Sequence, residues 1–308
     1  MRVVFVGTGA IGVPTLRALL DSAHQLVGVV TQPDKPVGRD QRLEAPPIKQ
    51  ELADSSIPVF QPPRIKDSSA IEQIKSWSSD VIVVMAYGQI LPLGVLDAPR
   101  LACVNLHASL LPRWRGAAPI QAAIAAGDSH TGVTLMHVDE GLDTGDIILD
   151  EPIEISNSDT GTTLHDRLAQ LAPRVLFKAL PLLESGKAPR VPQDATKATY
   201  APKLNRQSGR IDWSEPAEVI ERKIRAFNPW PGAFAEIEIP DLGRRKLKVF
   251  SAAVTKGKGN PGQIVQRDGQ LVIAAGSNAI SLVEVQLEGR KRMPAAEFMR
   301  GTRLNQNL

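Results

Sequence analysis

The chain has 308 residues, 43% of them hydrophobic and 22% charged, with a formal net charge of +3. That is the make-up of an ordinary globular protein long enough for two domains. Its single cysteine, Cys103, excludes an internal disulfide and a cysteine-based metal cage. No apolar run approaches the ~20 residues of a membrane span. Met1 leads straight into Val3-Val4-Phe5-Val6 rather than into a leader. A cytoplasmic or other reducing location is therefore expected, with no membrane partner.

In chain order, residues 2–7 read as an apolar strand and 10–21 as a helix whose apolar face carries Ile11, Leu16, Leu19 and Leu20. A strand over 25–31 follows, then a helical segment near 47–54, a proline-bounded strand near 58–60 and a helix near 67–77. The continuous apolar run Val81-Ile82-Val83-Val84-Met85 is the pattern of a central parallel strand buried on both faces. A strand over 101–106, a helix over 117–126, a strand over 131–138 and a long amphipathic helix over 160–184, started by Thr160 or Thr162, complete this part. Such alternation predicts an α/β, Rossmann-like doubly wound sheet over residues 1–189, with its site at the carboxyl ends of the strands. Residues 190–208, with Pro192 and Pro202, read as a linker. Beyond it come a short strand at 210–213, a helix over about 215–226, and strands near 233–238, 246–254, 262–266, 270–275 and 279–287. These predict a small β-barrel or open sheet over 209–308.

The chemistry concentrates where the strand over 101–106 ends. Residues two apart on a strand share a face, so Asn105 and His107 project together. An amide N–H can hold a developing oxyanion, and an imidazole can supply or take a proton. Ser109, Leu110, Leu111 and Pro112 follow as a small apolar loop suited to a flat ligand. The later strand runs into Asp139-Glu140-Gly141-Leu142-Asp143-Thr144-Gly145-Asp146. An Asp brought near an imidazole fixes its tautomer, which makes Asp143 the third candidate; capping its own turn is the ordinary alternative.

One motif points elsewhere. Gly7-Thr8-Gly9-Ala10-Ile11-Gly12 is a literal G-x-G-x-x-G between a strand and a helix, as in a dinucleotide-binding dehydrogenase. That reading needs an acid at the end of the second strand, which here ends Val30-Thr31-Gln32-Pro33, before Asp34. The five histidines, His24, His107, His130, His137 and His165, have no metal-ligand spacing, so no metal is expected. There is no G-x-S-x-G elbow and no other evident nucleophile, which agrees with direct group transfer.

The run N-x-H-x-S-L-L-P at 105–112 and the later G-V-T…D-E-G-L-D-T-G run resemble the folate-dependent formyltransferases. The resemblance extends to Thr31-Gln32-Pro33-Asp34-Lys35-Pro36, Ala86-Tyr87-Gly88, Arg113-Trp114-Arg115-Gly116-Ala117-Ala118-Pro119-Ile120-Gln121 and Arg225-Ala226-Phe227-Asn228-Pro229-Trp230-Pro231, and so spans nearly the whole chain. It implies Asn105, His107 and Asp143 as the catalytic groups and Ser109, Leu110, Leu111 and Pro112 as the folate cradle. It also implies 10-formyltetrahydrofolate as co-substrate, no metal, and an oligonucleotide-binding-like barrel at the C-terminus. In place of Ile11 and Gly12 the family would carry an aromatic and an alanine.

Charge bears on the acceptor. Residues 1–189 hold 16 Lys and Arg against 21 Asp and Glu, a net of −5; residues 190–308 hold 20 against 12, a net of +8. A basic half joined to an acidic one favours a polyanion partner over a nucleotide sugar, which other family members formylate. The resemblance implies an aminoacylated initiator tRNA as acceptor and a monomeric enzyme. It makes the loop over 34–49 the segment that reaches the acceptor end, with Arg39 and Arg42 as contacts; the family often has glycine where this chain has Asp40. Arg244, Arg245 and Lys246 are the expected phosphate contacts of the C-terminal half.

Overall fold

A computed structural model describes residues 1–38, 40–240, 243–266 and 269–302. The chain begins with β1 (Arg2–Gly7), α1 (Val13–Leu20) and β2 (Gln25–Val30), then a hairpin of β3 (Lys35–Val37) and β4 (Arg42–Glu44). Next come α2 (Pro47–Glu51), β5 (Val59–Phe60), α3 (Ser68–Ser76), β6 (Val81–Met85), α4 (Leu93–Leu96) and β7 (Ala102–His107). They are followed by β8 (Arg115–Gly116), α5 (Pro119–Ala126), β9 (His130–His137), β10 (Ile147–Glu154), α6 (Gly161–Glu184) and β11 (Tyr200–Ala201). The last elements are α7 (Ala217–Ala226), β12 (Ala233–Ile239), β13 (Gly243–Thr255), β14 (Ile264–Gln266), β15 (Leu271–Ala274), β16 (Ala279–Leu287), β17 (Met293–Pro294) and α8 (Ala295–Gly301). Two compact units result. The first comprises Met1–Gly116, Thr131–Ile153 and His165–Tyr200; the second comprises Ala117–His130, Glu154–Leu164 and Ala201–Leu308.

The first unit is built on a sheet of order β10-β9-β7-β6-β1-β2-β5. From β5 through β2, β1 and β6 to β7 the strands are parallel, and β9 runs antiparallel to β7. This is the expected α/β sheet. Val3 to Val6 and Val81 to Met85 are buried at every position, which only a strand covered on both faces permits. Val84 pairs with Asn105, so the end of β7 lies beside the end of β6 at the carboxyl edge of the parallel strands.

The glycine fingerprint has a packing explanation. A Cβ on Gly7 would lie 2.6 Å from the Phe5 ring and 2.8 Å from the Met85 carbonyl, and one on Gly12 would lie 3.1 Å from Phe5. The outer glycines let strand and helix approach closely, with no ligand needed to account for them. Leu20, predicted on the apolar face of the first helix, is 37% exposed, while Thr15 is fully buried. The helix proper starts at Val13, after a 3-10 turn over Ala10–Gly12. Within the helix Thr15, Leu16 and Leu19 make the buried face, and Leu20, the last helical residue, falls at its edge.

The second unit holds an antiparallel half-barrel of order β12-β13-β16-β15-β14, with β17 added on β16. Ala217, Ile220 and Ile224 of α7 join Leu247, Val249, Leu282 and Val285 in its core. The strand expected at 210–213 does not form. A 3-10 turn over Arg206–Gly209, capped by Asn205, gives way to a single bridge between Arg210 and Phe234. Asp212 then accepts from the Ser214 N–H at 3.0 Å and from its hydroxyl at 2.6 Å, which turns the chain away from the sheet.

Candidate active site

The alternation of β7 determines the site. Val104 and Leu106 point into the core, while Asn105 and His107 share the other face; His107 pairs with Thr134 of β9 across the sheet. The third member arrives from the loop after β9. Asp143 Oδ1 lies 3.6 Å from His107 Nδ1 and 3.5 Å from Asn105 Nδ2, so three residues separated by up to 38 positions converge on one carboxylate oxygen. Asp143 Oδ2 is held separately by the Gly116 N–H at 2.8 Å. His107 Nε2 lies 2.9 Å from the Trp114 carbonyl. A carbonyl only accepts, so Nε2 carries a hydrogen there and Nδ1 is the nitrogen turned to Asp143. His107 is only 6% exposed, and Asn105 and Asp143 are half-buried. Cys103, two residues before Asn105, is buried, which pushes its thiol up to about 12 and removes it as a nucleophile.

Two residues of this frame sit in the left-handed region without being glycine: Trp114, at φ +62°, and Asp143, at φ +54°. Each such residue costs on the order of 1–3 kcal/mol and persists only where its surroundings hold it. Both present an oxygen to His107.

The Ser109–Pro112 loop is rigid for reasons that can be traced atom by atom. The buried Thr134 hydroxyl donates to the Ser109 carbonyl at 2.7 Å and accepts from the Leu111 N–H at 3.1 Å. Ser109 Oγ donates to the Arg113 carbonyl at 2.6 Å, and the Arg113 N–H returns to the Leu110 carbonyl at 3.1 Å. These polar groups are thus occupied by Thr134 of β9 and by Arg113. Leu111 is buried, whereas Leu110 and Pro112 remain half-exposed.

A segment that sequence reasoning treated as linker completes the site. Val191 and Ile147 exchange backbone hydrogen bonds of 2.9 and 3.0 Å. The Gln193 amide donates to the carbonyls of Asp143 at 2.9 Å and Gly145 at 2.8 Å. Its oxygen accepts from Nε and Nη2 of the buried Arg115 at 3.1 and 2.7 Å. Thr199 accepts the Trp114 N–H on its hydroxyl and the Arg115 N–H on its carbonyl, each at 2.9 Å. Nothing in the sequence around Gln193 marks it out. Thr134 did leave a signal, as a polar residue inside an apolar strand.

The basic residues are less uniform than their spacing implied. Arg39 lies outside the described residues. Arg42 is exposed on β4, 3.9 Å from Asp40. Arg244, Arg245 and Lys246 are consecutive on β13 and alternate faces. Arg244 and Lys246 stand opposite Glu238 and Glu236, whereas Arg245 stands opposite the buried Ile237. Arg244 is bonded to Glu236, and Lys246 lies over the Phe234 ring at 4.9 Å. Lys248, opposite Phe234, shares the face of Lys246. The three do not form one patch. Among the described residues no group of three His, Cys, Asp or Glu could hold a metal, and no helix is long and apolar enough to cross a membrane.

Comparison with known proteins agrees with the fold and the motifs. A family model described as formyl transferase matches residues 1–180, and the model of the formyl transferase C-terminal domain matches residues 203–303. The chain belongs to the formyl transferase family. Its relatives there include methionyl-tRNA formyltransferases. The enzyme of Pseudomonas fluorescens is 47% identical over 305 residues, covering 98% of this chain and 94% of its own. That of Methylacidiphilum infernorum is 47% identical over 309 residues, covering 99% and 96%. Among solved structures, HypX from Aquifex aeolicus in complex with tetrahydrofolic acid superposes with a TM-score of 0.65 at 18% identity, over 97% of this chain. This chain spans about half of HypX, 47% of its length. An N-formyltransferase from Helicobacter canadensis, in complex with folinic acid and dTDP-3-aminofucose, gives 0.67 at 18% identity over 91% of this chain and 98% of that one. At such identities these structures share the fold.

Proposed function

We propose that the chain transfers the formyl group of 10-formyltetrahydrofolate to the free α-amino group of methionine esterified to initiator tRNA, giving N-formylmethionyl-tRNA. The observation that carries this reading is the convergence of Asn105 and His107 on Asp143 Oδ1 at the carboxyl edge of the sheet. The folate is a co-substrate, and when bound it supplies the formyl group in activated form. Attack by the amine places negative charge on the formyl oxygen and requires the nitrogen to lose a proton. Asn105 Nδ2 is an amide donor for that oxygen. Asp143 Oδ1, not held by a backbone donor as Oδ2 is, takes the proton, and His107 Nδ1 passes or shares it. As the adduct collapses the bond between the formyl carbon and folate N10 breaks, N10 takes up that proton and tetrahydrofolate leaves. No covalent enzyme intermediate is needed, because the attacking group belongs to the acceptor. On the folate side the Ser109–Pro112 loop offers the apolar surfaces of Leu110 and Pro112, its Ser109, Leu110 and Pro112 carbonyls and Leu111 N–H being occupied by Thr134, Arg113 and Thr199.

In this reading residues 1–189 form the formyltransferase domain, 190–208 the connection and 209–308 the tRNA-binding domain of a cytoplasmic monomer. Arg39 and Arg42 act at the acceptor end, and Arg244, Arg245 and Lys246 act on phosphates. A side-by-side assay of formyl transfer to methionyl initiator tRNA and to an amino-sugar nucleotide tests it. Transfer to the tRNA is expected, and transfer to the sugar alone overturns the reading.

A further inference from the structure

The two oxygens that face His107 come from residues distant in sequence, and each belongs to a non-glycine residue held at positive φ. The Trp114 carbonyl meets Nε2, and Asp143 Oδ1 meets Nδ1. Neither conformation is a resting preference of its residue, so something else must maintain both. One short segment touches both. Gln193 holds the Asp143 turn by two carbonyls, and Thr199 holds the Trp114–Arg115 step by one hydroxyl and one carbonyl.

We propose that Gln193 is a positioning residue of the formyl transfer reaction, acting through Asp143, and that residues 191–199 form a strap that sets the geometry around His107. The inference rests on the functional reading above. The Gln193 side chain suits the task because its two ends do different work. The Nε2 hydrogens cross-link the carbonyls of Asp143 and Gly145, two residues apart, which defines the turn that aims the carboxylate. The amide oxygen receives two hydrogens from the Arg115 guanidinium, so the amide can only stand with its nitrogen toward the turn. Arg115 is next to Gly116, whose N–H holds Asp143 Oδ2. Carboxylate and turn are therefore clamped from the same side, by adjoining residues of one frame. A glutamate in this position would keep the Arg115 contact and lose both donors. An alanine would lose everything.

The experiment compares Gln193→Ala and Gln193→Glu with the wild type, alone and combined with Asp143→Asn, measuring kcat, both Michaelis constants and the thermal midpoint. A misplacement of the order of an ångström is expected to lower kcat about 10- to 100-fold. Both Michaelis constants should stay within about two-fold, because binding surfaces are untouched. Gln193→Glu keeps the Arg115 contact but turns a carboxylate oxygen toward the Asp143 and Gly145 carbonyls, so it should lose at least as much kcat and some thermal midpoint as well. Should Gln193→Ala fold poorly, this variant carries the test through its unchanged Michaelis constants and its behaviour in the Asp143→Asn background. In the Asp143→Asn background either substitution should cost little more, because the group being positioned is already disabled. Full multiplication of the two effects, or a lowered midpoint with unchanged kcat, overturns the proposal. An Asp143→Asn enzyme with wild-type turnover would instead remove the functional reading on which it rests.

Discussion

At the scale of single residues, Asn105 and Asp143 should separate catalysis from folding. Asn105 is half-buried at a strand end, and among the described residues its amide nitrogen reaches Asp143 alone at hydrogen-bond range. Asn105→Ala should therefore lower turnover by about 10²–10³, the usual cost of one oxyanion donor, while circular dichroism stays that of the wild type. Wild-type turnover at saturating folate would refute the assignment. His137 predicts a pH effect on stability instead. It is buried, its Nε2 has no hydrogen-bond partner among the described residues, and burial together with Arg190 holds the imidazole below its ordinary value of 6.5 against the opposing pull of the Pro189 carbonyl and Asp146. The unfolded chain takes up that proton more readily, so this contribution is complete above about pH 6.5 and is lost as pH falls through the lower, folded value. Chemical denaturation at about pH 7.5 and about pH 5.5 should show a larger loss of stability on acidification for the wild type than for His137→Gln. Equal losses would place the acid sensitivity elsewhere. That Asn105, His107 and Asp143 meet was legible because their types and spacing match one chemistry. Gln193 was not, because its role depends on two carbonyls and a guanidinium that sequence order does not bring together.

Elements carry the next set of consequences. The Thr134 hydroxyl stands between the Ser109 carbonyl and the Leu111 N–H inside the sheet. Thr134→Val keeps the shape and leaves both backbone groups buried without it, at a cost of about 1–3 kcal/mol in unfolding free energy. The Ser109–Pro112 loop should loosen with it, so the Michaelis constant for folate should rise; unchanged stability and folate affinity would show that the loop is held by other contacts. The loop that carries Asp143 has its own critical position. A Cβ on Gly145 would lie 1.9 Å from the His137 carbonyl, so Gly145→Ala forces backbone to move. Activity should fall more steeply than the thermal midpoint, because the displaced backbone carries the carboxylate. The long apolar strands and helices could be read from periodicity alone. The hairpin β3–β4 could not, since all its residues are exposed, and β10 could not, since its burial alternates but Glu151 stands on the less exposed side, which hides the period in the sequence.

For the molecule as a whole, the sequence showed correctly that charge divides between the halves, but strand geometry decides which cations act together. Counterion release predicts that log K for tRNA falls by ~0.7–0.9 per decade of salt for each phosphate neutralised. Lys246 and Lys248 share one face of β13, whereas Arg244 is already bonded to Glu236 and Arg245 points the other way. The pair Lys246→Ala, Lys248→Ala should therefore flatten the salt slope more than Arg244→Ala does, with turnover at saturating tRNA little changed. Equal slopes for the two variants would place the phosphate path off this face. The strap has a consequence of a different kind, in the timing of synthesis. The family matches end at residue 180 and resume at 203, so Gln193 and Thr199 belong to neither. A growing chain emerges from its N-terminus, which means that Asn105, His107 and Asp143 are all made before the residues that hold Asp143 and Trp114 in strained conformations. With the proposed role of the strap, a sheet assembled early in synthesis is expected to gain its chemistry only once Thr199 has been added and has reached Trp114.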